Sequence, residues 1–213
     1  MAEDLLKKLG NKTITKEGLA QKITKDFKLL PGIINAMDSN KAAIRYGCGK
    51  VLMELSEKYP DELYPYMDDF IKFLDSKYRI ITWQAMAIIA NLTCVDKKKK
   101  FDANFEKYYS FINDEYMVTV ANVVGHSGKI ALAKPELIPK ITEKLLLVEK
   151  LKTTPHLTTE CKLVIAQSAI GSFDMFFDKA IQKQKIISFV RKYSNSTRKP
   201  LKTQAEEFLK KWT

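Results

Sequence analysis

Apolar residues recur along this chain with the period of an α-helix. From Ile81, apolar or small side chains follow at offsets +4, +7, +8 and +11, and these offsets place them on one helix face. The same offset set fits four other segments, which begin at Ile44, Val120, Cys161 and Leu201. Successive starting positions are 37, 39, 41 and 40 residues apart. The pattern therefore predicts a helical unit that is repeated five times.

Two of the five segments match less closely, because small residues occupy part of the expected core face. The Val120 segment places Ser127 and Gly128 at core offsets. In the Cys161 segment a second apolar face competes with the first, and the register stays open; this face comprises Leu163, Ala166, Ile170, Phe173 and Phe177. The stretch 118–124 is rich in β-branched residues, but a lone strand would have no partner, which favours a helix.

A second helix and a tight turn precede each of these helices. In four of the five units an Asp or Asn stands six residues before the starting position, where a short side chain can accept a backbone N–H: Asp38, Asp75, Asp114 and Asn195. An apolar helix face precedes the second unit's turn, and it recurs 38 residues later: Leu63, Met67, Phe70 and Leu74, then Phe101, Phe105, Tyr108 and Ile112. Pro60 and Pro135 each mark the end of one helix and the start of the next. The unit is thus helix A, a turn and helix B.

This unit resembles the HEAT/armadillo-type helical repeat. The resemblance rests on the period, the turn Asp, the proline at the start of helix A, and the pair Ile44-Arg45 followed by small Cys48. It covers about residues 29–213 and implies an all-α fold, an α-α superhelix (solenoid) of about five helix pairs whose B helices line a concave face. Residues 1–28 are expected to form an N-terminal helical cap, so that 1–213 is a single repeat domain. A fold of this kind does not determine an activity.

The B helices also carry residues off the core pattern, at offsets +2, +6 and +9. These offsets are expected on the concave face, where they form an aromatic, polar and basic stripe of Tyr46, Lys50, Trp83, Asn122, His126, Lys129 and Gln167. Such a stripe suits contact with a protein segment or with a nucleic-acid backbone. Tyr46 and Trp83 have an alternative role as packing residues between helices.

Positive charge is concentrated near the C-terminus. The chain carries a net charge of +11, and residues 179–213 contribute +8 of it. The cluster expected to contact an anion or nucleic acid comprises Lys183, Lys185, Arg191, Lys192, Arg198, Lys199 and Lys202. Uneven charge of this kind indicates either an anionic partner or a solvated terminal repeat. The run Lys97–Lys100 is most simply a solvated loop, with phosphate contact as the alternative.

No catalytic or metal-binding constellation stands out. The two histidines, His126 and His156, are not spaced as a metal pair. The segment 125–129 lacks the first glycine and the final Ser/Thr of a phosphate-binding P-loop. Three separated cysteines without a CxxC pair predict free, buried structural thiols in a reducing compartment. Without a signal peptide or a membrane span, we expect a cytoplasmic protein that needs no metal and no cofactor.

These patterns favour a non-enzymatic scaffold that binds another protein along the concave B-helix surface, with acidic proteins among the candidates. The alternative is a nucleic-acid-binding protein, because the chain is also similar in length, helicity and charge to HEAT-like alkylation-repair DNA glycosylases. That family places a Trp and an Asp one helical turn apart. Here Ala87 follows Trp83 by four residues, so the matching position lacks the carboxylate, and glycosylase activity is not expected.

Overall fold

The computed structural model describes residues 1–213, and helices dominate it, as the repeat pattern predicts. An isolated antiparallel bridge between Thr154 and Leu157 is the one β-type pairing. No helix is both long enough and apolar enough to cross a membrane. The chain divides into two compact units, Met1–Asn104 and Phe105–Thr213. The expectation of a single domain over 1–213 stays a prediction.

The first unit contains the N-terminal cap and the first two B helices. Its helices are α1 (Ala2–Gly10), α2 (Lys16–Lys25), α3 (Leu30–Asn35), α4 (Ala42–Lys58), α5 (Pro60–Leu63), α6 (Met67–Lys72), α7 (Arg79–Leu92) and α8 (Lys100–Ala103). The cap helices α1 and α2 pack against α4, and α4 packs against α7. The long helices α4 and α7 therefore continue a layer that begins in the cap.

The second unit contains three B helices and the shorter helices that cover them. Its helices are α9 (Phe105–Ser110), α10 (Met117–Ala133), α11 (Ile138–Leu146), α12 (Thr159–Phe176), α13 (Lys183–Arg191) and α14 (Lys199–Trp212). Helix α12 packs against α10 on one side and against α14 on the other. The five predicted starting positions fall in α4, α7, α10, α12 and α14, which confirms the five-fold repeat.

The core offsets are buried in most of the B helices. All five core positions of α7 are at most 1% exposed, and Ser127 and Gly128 of α10 are also buried. In α12 the buried positions do not simply follow the offsets from Cys161. Cys161 and Ser168 are only half-buried, whereas Ala166, Ile170 and Phe173 of the competing face are fully buried. Both candidate faces of α12 thus contribute to the core, since this helix has a neighbour on each side.

The A half that precedes α7 is interrupted, in contrast to the continuous helix A that the sequence predicts. Between α5 and α6, residues Tyr64–Tyr66 form a 3-10 turn whose second residue is Pro65. Proline lacks an amide N–H and restricts the residue before it, so a regular helix cannot pass through this point. The apolar face of the A half is nevertheless buried as predicted, since Leu63, Met67 and Phe70 have no exposed surface.

A side chain accepts a backbone N–H in every turn that leads into a B helix. The Asp114 carboxylate accepts the Tyr116 N–H at 2.8 Å. In the other four turns a hydroxyl accepts the N–H two residues later, from Ser39, Ser76, Thr154 and Ser196. Before α4 and α14 the hydroxyl of Ser39 or Ser196 makes this bond in place of the predicted Asp38 or Asn195, because Ser forms the same local hydrogen bond as Asp.

The longest connection, between α11 and α12, is held by contacts to the start of α10. The Thr154 hydroxyl donates to the Glu115 carbonyl at 2.7 Å, and the His156 carbonyl accepts from the Met117 N–H at 3.2 Å. The His156 ring stacks on Tyr116 with centroids 4.2 Å apart. The connection is therefore ordered by the neighbouring repeat of the same unit.

Candidate binding surface on the B helices

We define the B-helix surface as the solvent-facing sides of α4 and α7 in the first unit and of α10, α12 and α14 in the second. In the first unit it carries Tyr46 and Lys50 on α4 and Trp83 on α7. Lys50 is exposed, whereas both aromatic side chains are half-buried. Tyr46 and Trp83 are therefore partly packed and partly accessible, which is compatible with both roles that the sequence left open.

On α7 fewer positions of the stripe are exposed than the helical offsets predict. Ala87 and Ala90 occupy the +6 and +9 offsets, yet they are only 4% and 0% exposed. Helix α7 packs against α4, α5 and α6 within the first unit, so little of its length faces solvent. The prediction that these offsets lie on the surface is wrong for α7.

Arg45 holds Tyr46 in place from beneath the surface. Its guanidinium lies 4.6 Å from the Tyr46 ring centroid and 3.5 Å from that of Tyr78, and it donates to the Tyr46 hydroxyl at 3.2 Å. The side chain also donates to the Ser39 carbonyl and is only 5% exposed. Arg45 is thus a positioning residue, not a surface cation. The sequence marked it only as the basic member of the Ile44-Arg45 pair.

In the second unit the surface carries uncharged polar groups and one lysine. Asn122, His126 and Lys129 lie on α10 and Gln167 lies on α12, and all four are half-buried. The Asn122 side-chain NH₂ group donates to the Val118 carbonyl of its own helix at 2.8 Å. The predicted stripe residues are therefore accessible in each unit.

Exposed apolar side chains extend this part of the surface. Val118, Leu132 and Met175 are 42%, 41% and 44% exposed. Gly125 lies between the first two on α10, and a Cβ atom added there would meet nothing within 4 Å. The core offsets did not include these residues, and their positions relative to neighbouring helices become visible only in the fold. A partner could bury this apolar area.

Acid is expected to destabilise the second unit through His126. Burial, and secondarily the nearby Lys129 charge, lowers the pKa of this imidazole from 6.5 to about 4. The unfolded chain takes up the proton at higher pH than the folded chain does. The free energy of unfolding is therefore highest above about pH 6.5, where His126 is neutral in both states, and it decreases as the pH falls toward 4.

Urea unfolding measured across that range should show a slope of at most about 1.4 kcal/mol per pH unit from this group. His126→Gln has no titrating proton and should flatten that part of the profile. An unchanged slope in His126→Gln would contradict the assignment.

The C-terminal basic cluster is divided and partly neutralised. Lys192 pairs with Glu149 at 2.7 Å, Arg198 with Glu160 at 2.8 Å, and Lys202 with Glu206 at 3.8 Å. Four of the seven residues lie on or directly after α13 and three lie around the start of α14: Lys183, Lys185, Arg191 and Lys192, then Arg198, Lys199 and Lys202. This arrangement does not favour a continuous phosphate-binding track, so we advance no nucleic-acid function from it.

Arg198 connects this cluster to the B-helix surface. Its Nε donates to Gln167 Oε1 at 3.3 Å while its NH1 group contacts Glu160. Gln167 is therefore oriented by a residue from the next repeat.

The cysteines occupy three different environments. Cys48 is fully buried, and burial raises the pKa of its thiol to about 12. Cys161 is half-buried, whereas Cys94 is exposed and donates to the Asn91 carbonyl. The prediction of buried thiols is wrong for Cys94, which lies in a 3-10 turn after α7 and outside the core offsets.

Comparison with solved structures shows the fold. A designed armadillo repeat protein is similar with a TM-score of 0.65 and 17% sequence identity, over 98% of this chain and 92% of that chain. An engineered protein solved by crystallography is similar with a TM-score of 0.59 and 14% identity, over 98% of this chain and 87% of that chain. No protein-family model matches the chain, and no curated protein matches it. The chain therefore has the armadillo-like α-α solenoid fold, which confirms the resemblance to HEAT/armadillo-type repeats.

Proposed function

We propose that this protein is a non-enzymatic scaffold that binds a segment of another protein along its B-helix surface. The supporting observation is the composition of that surface. In the first unit it carries two half-buried aromatic residues and the exposed Lys50, and in the second unit it carries amide, imidazole and apolar groups. Aromatic residues set among adaptable polar groups are typical of protein-binding sites.

The polar groups of the second unit suit an uncharged stretch of peptide. Neutral imidazole at His126 and the amide at Asn122 can each donate and accept hydrogen bonds, as a peptide backbone requires. The exposed apolar side chains Val118 and Leu132 lie on the same helix and can contact the side chains of the bound segment. The presence of three free thiols further supports our proposal that the protein works in a reducing compartment such as the cytoplasm.

A displayed library of random peptides, selected on the full chain, tests this function. The chain has two tryptophans, so Trp212→Phe leaves Trp83 as the only indole, and selected peptides should change its emission on binding. Trp83→Ala should weaken the selected peptides by about tenfold or more, as expected for an aromatic anchor.

Glu62→Ala is the matched control, because Glu62 is exposed on α5 and lies outside the B-helix surface. This variant should bind as the wild type does. The function is ruled out if the library yields no binding peptides, or if every selected peptide binds Trp83→Ala, Lys129→Ala and His126→Gln with unchanged affinity.

A further inference from the structure

A groove lies in the first unit between the α1–α2 turn and the beginning of α4. Its volume is about 530 Å³. Apolar groups that line it are Leu9, Ile14, Ala42, Ala43 and the ring of Tyr46, and the polar residues that line it are Lys12, Thr15, Lys16 and Glu17. An open apolar groove with a charged border is suited to a short segment of protein. We call it the cap groove.

Positive charge surrounds the cap groove. Lys12 and Lys16 line the groove, and Lys50 follows Tyr46 by one helical turn on α4. None of these three lysines forms an ion pair within the protein. Glu17 is the one acidic residue in the lining, and hydrogen bonds from its own backbone N–H and from Thr15 lower the pKa of its carboxyl. The net field therefore favours an acidic ligand.

Lys12 stands in a backbone conformation that favours glycine. Its φ is 60°, in the left-handed region, where a Cβ is crowded. The turn is a helix-ending motif in which Thr13 N–H donates to the Lys8 carbonyl at 2.9 Å and Lys12 N–H donates to that of Leu9 at 3.2 Å. A glycine would satisfy this turn with less strain. Strained positions of this kind occur at binding sites, and here the strained residue brings an ammonium group to the groove.

The opposite wall is rigid. Tyr46 is held by the buried Arg45, and Gly47 beside it allows Leu9 to approach, since a Cβ at Gly47 would lie 3.0 Å from a Leu9 methyl. A wall with few rotamer choices loses little entropy when it binds a ligand. The groove thus exists before a partner arrives.

We propose that the cap groove docks a short segment of a partner protein in which acidic side chains flank apolar ones. The apolar side chains pack over Leu9, Ile14 and the Tyr46 ring, and the carboxylates lie beside Lys12 and Lys16. This inference rests on the proposed scaffold function and deepens it, because it specifies the chemistry of the bound segment at the N-terminal end of the B-helix surface.

The same random peptide library, selected on the wild-type full chain, provides the probe. Peptides that combine acidic and apolar residues should be enriched, and Tyr46→Ala should weaken them by about tenfold or more. Lys12→Gly relieves the backbone strain, so the variant should be at least as stable as the wild type. It should nevertheless bind these peptides about two- to fivefold more weakly at low salt, and Lys12→Arg should restore binding.

Lys99→Gly is a matched control. Lys99 is the other non-glycine residue besides Lys12 with positive φ, at 53°, and it does not line the groove. This variant removes one charge and relieves the same kind of strain, so it should bind the acidic peptides like the wild type. Equal weakening in Lys99→Gly and Lys12→Gly would overturn the proposal, because only net charge would then matter.

Two further outcomes separate this inference from the scaffold function. Selected peptides that depend on Trp83 but not on Lys12 or Tyr46 would overturn the cap groove and leave the scaffold function standing. A single-stranded oligonucleotide that displaces the acidic peptides and shows the same dependence on Lys12 and Tyr46 would also overturn it, since the groove would then bind nucleic acid. Enrichment of acidic and apolar peptides whose affinity depends on Lys12 and Tyr46 supports it.

Discussion

Gly128→Val is expected to destabilise the second unit by about 2–4 kcal/mol. Helix α10 approaches α12 closely at this residue, and a Cβ on Gly128 would lie 2.5 Å from Met175 Sδ and 3.1 Å from backbone atoms of Ser172. Met175 is exposed and can move, but the Ser172 backbone cannot move without separating the helices. The hydrogen bond from the Ser172 hydroxyl to the Val124 carbonyl, 2.6 Å long, would then be lost as well.

The measurement is urea unfolding followed by Trp212 fluorescence in a Trp83→Phe background. Trp212 suits this purpose because it packs on Phe177 of the same unit with ring centroids 4.9 Å apart. Gly125→Ala is the matched control one turn earlier, where an added Cβ meets nothing within 4 Å. It should stabilise the unit by about 0.5–1 kcal/mol, because alanine is the better helix former. Equal effects of the two substitutions would contradict the close approach at Gly128.

Asp96→Ala is expected to destabilise the first unit by about 3 kcal/mol. The carboxylate is only 7% exposed. It accepts hydrogen bonds from the Tyr64 hydroxyl at 2.7 Å, from the Lys100 N–H at 2.8 Å and from the Phe101 N–H at 2.9 Å. These bonds link the A half of one repeat to the start of α8, and an alanine would leave all three donors without this acceptor.

Trp83 fluorescence in a Trp212→Phe background should report this loss during urea unfolding, because Trp83 lies in the first unit. Asp96→Asn retains one carbonyl oxygen for Tyr64 and Lys100 but places an NH₂ group opposite the Phe101 N–H. It should cost about 1–3 kcal/mol, because the buried Phe101 N–H loses its acceptor. Lys98→Ala is the surface control, since Lys98 is exposed in the same loop and should change stability little. A cost for Asp96→Ala no greater than that for Lys98→Ala would show that the carboxylate does not hold this loop.

The order of helices followed from the sequence because burial acts on each helix separately. A B helix has one side that always faces the A half of its own repeat, and that side needs apolar residues at helical spacing. The apolar residues at the offsets from Ile44, Ile81 and Val120 meet this requirement, and so does the apolar face from Leu63 to Leu74. Local period and turn residues therefore identified the five helical repeats and the N-terminal helices.

The neighbours of each helix were decided only by the tertiary structure. Residues that contact one another across adjacent repeats are about forty positions apart, and no local period records which of them meet. For this reason the burial of Ala87 and Ala90, the two-sided core of α12 and the pairing of Arg198 with Glu160 were not predicted.

The same distinction between sequence and tertiary structure applies to the binding surface. The sequence by itself determined that Tyr46, Trp83, Asn122 and His126 lie off the core face of the B helices. Only the tertiary structure decided that Arg45 is a buried support for Tyr46 and that the left-handed turn at Lys12 places a lysine beside the same ring. Helical spacing determines the direction of a side chain from its own helix, whereas a groove needs two elements whose separation depends on how they pack.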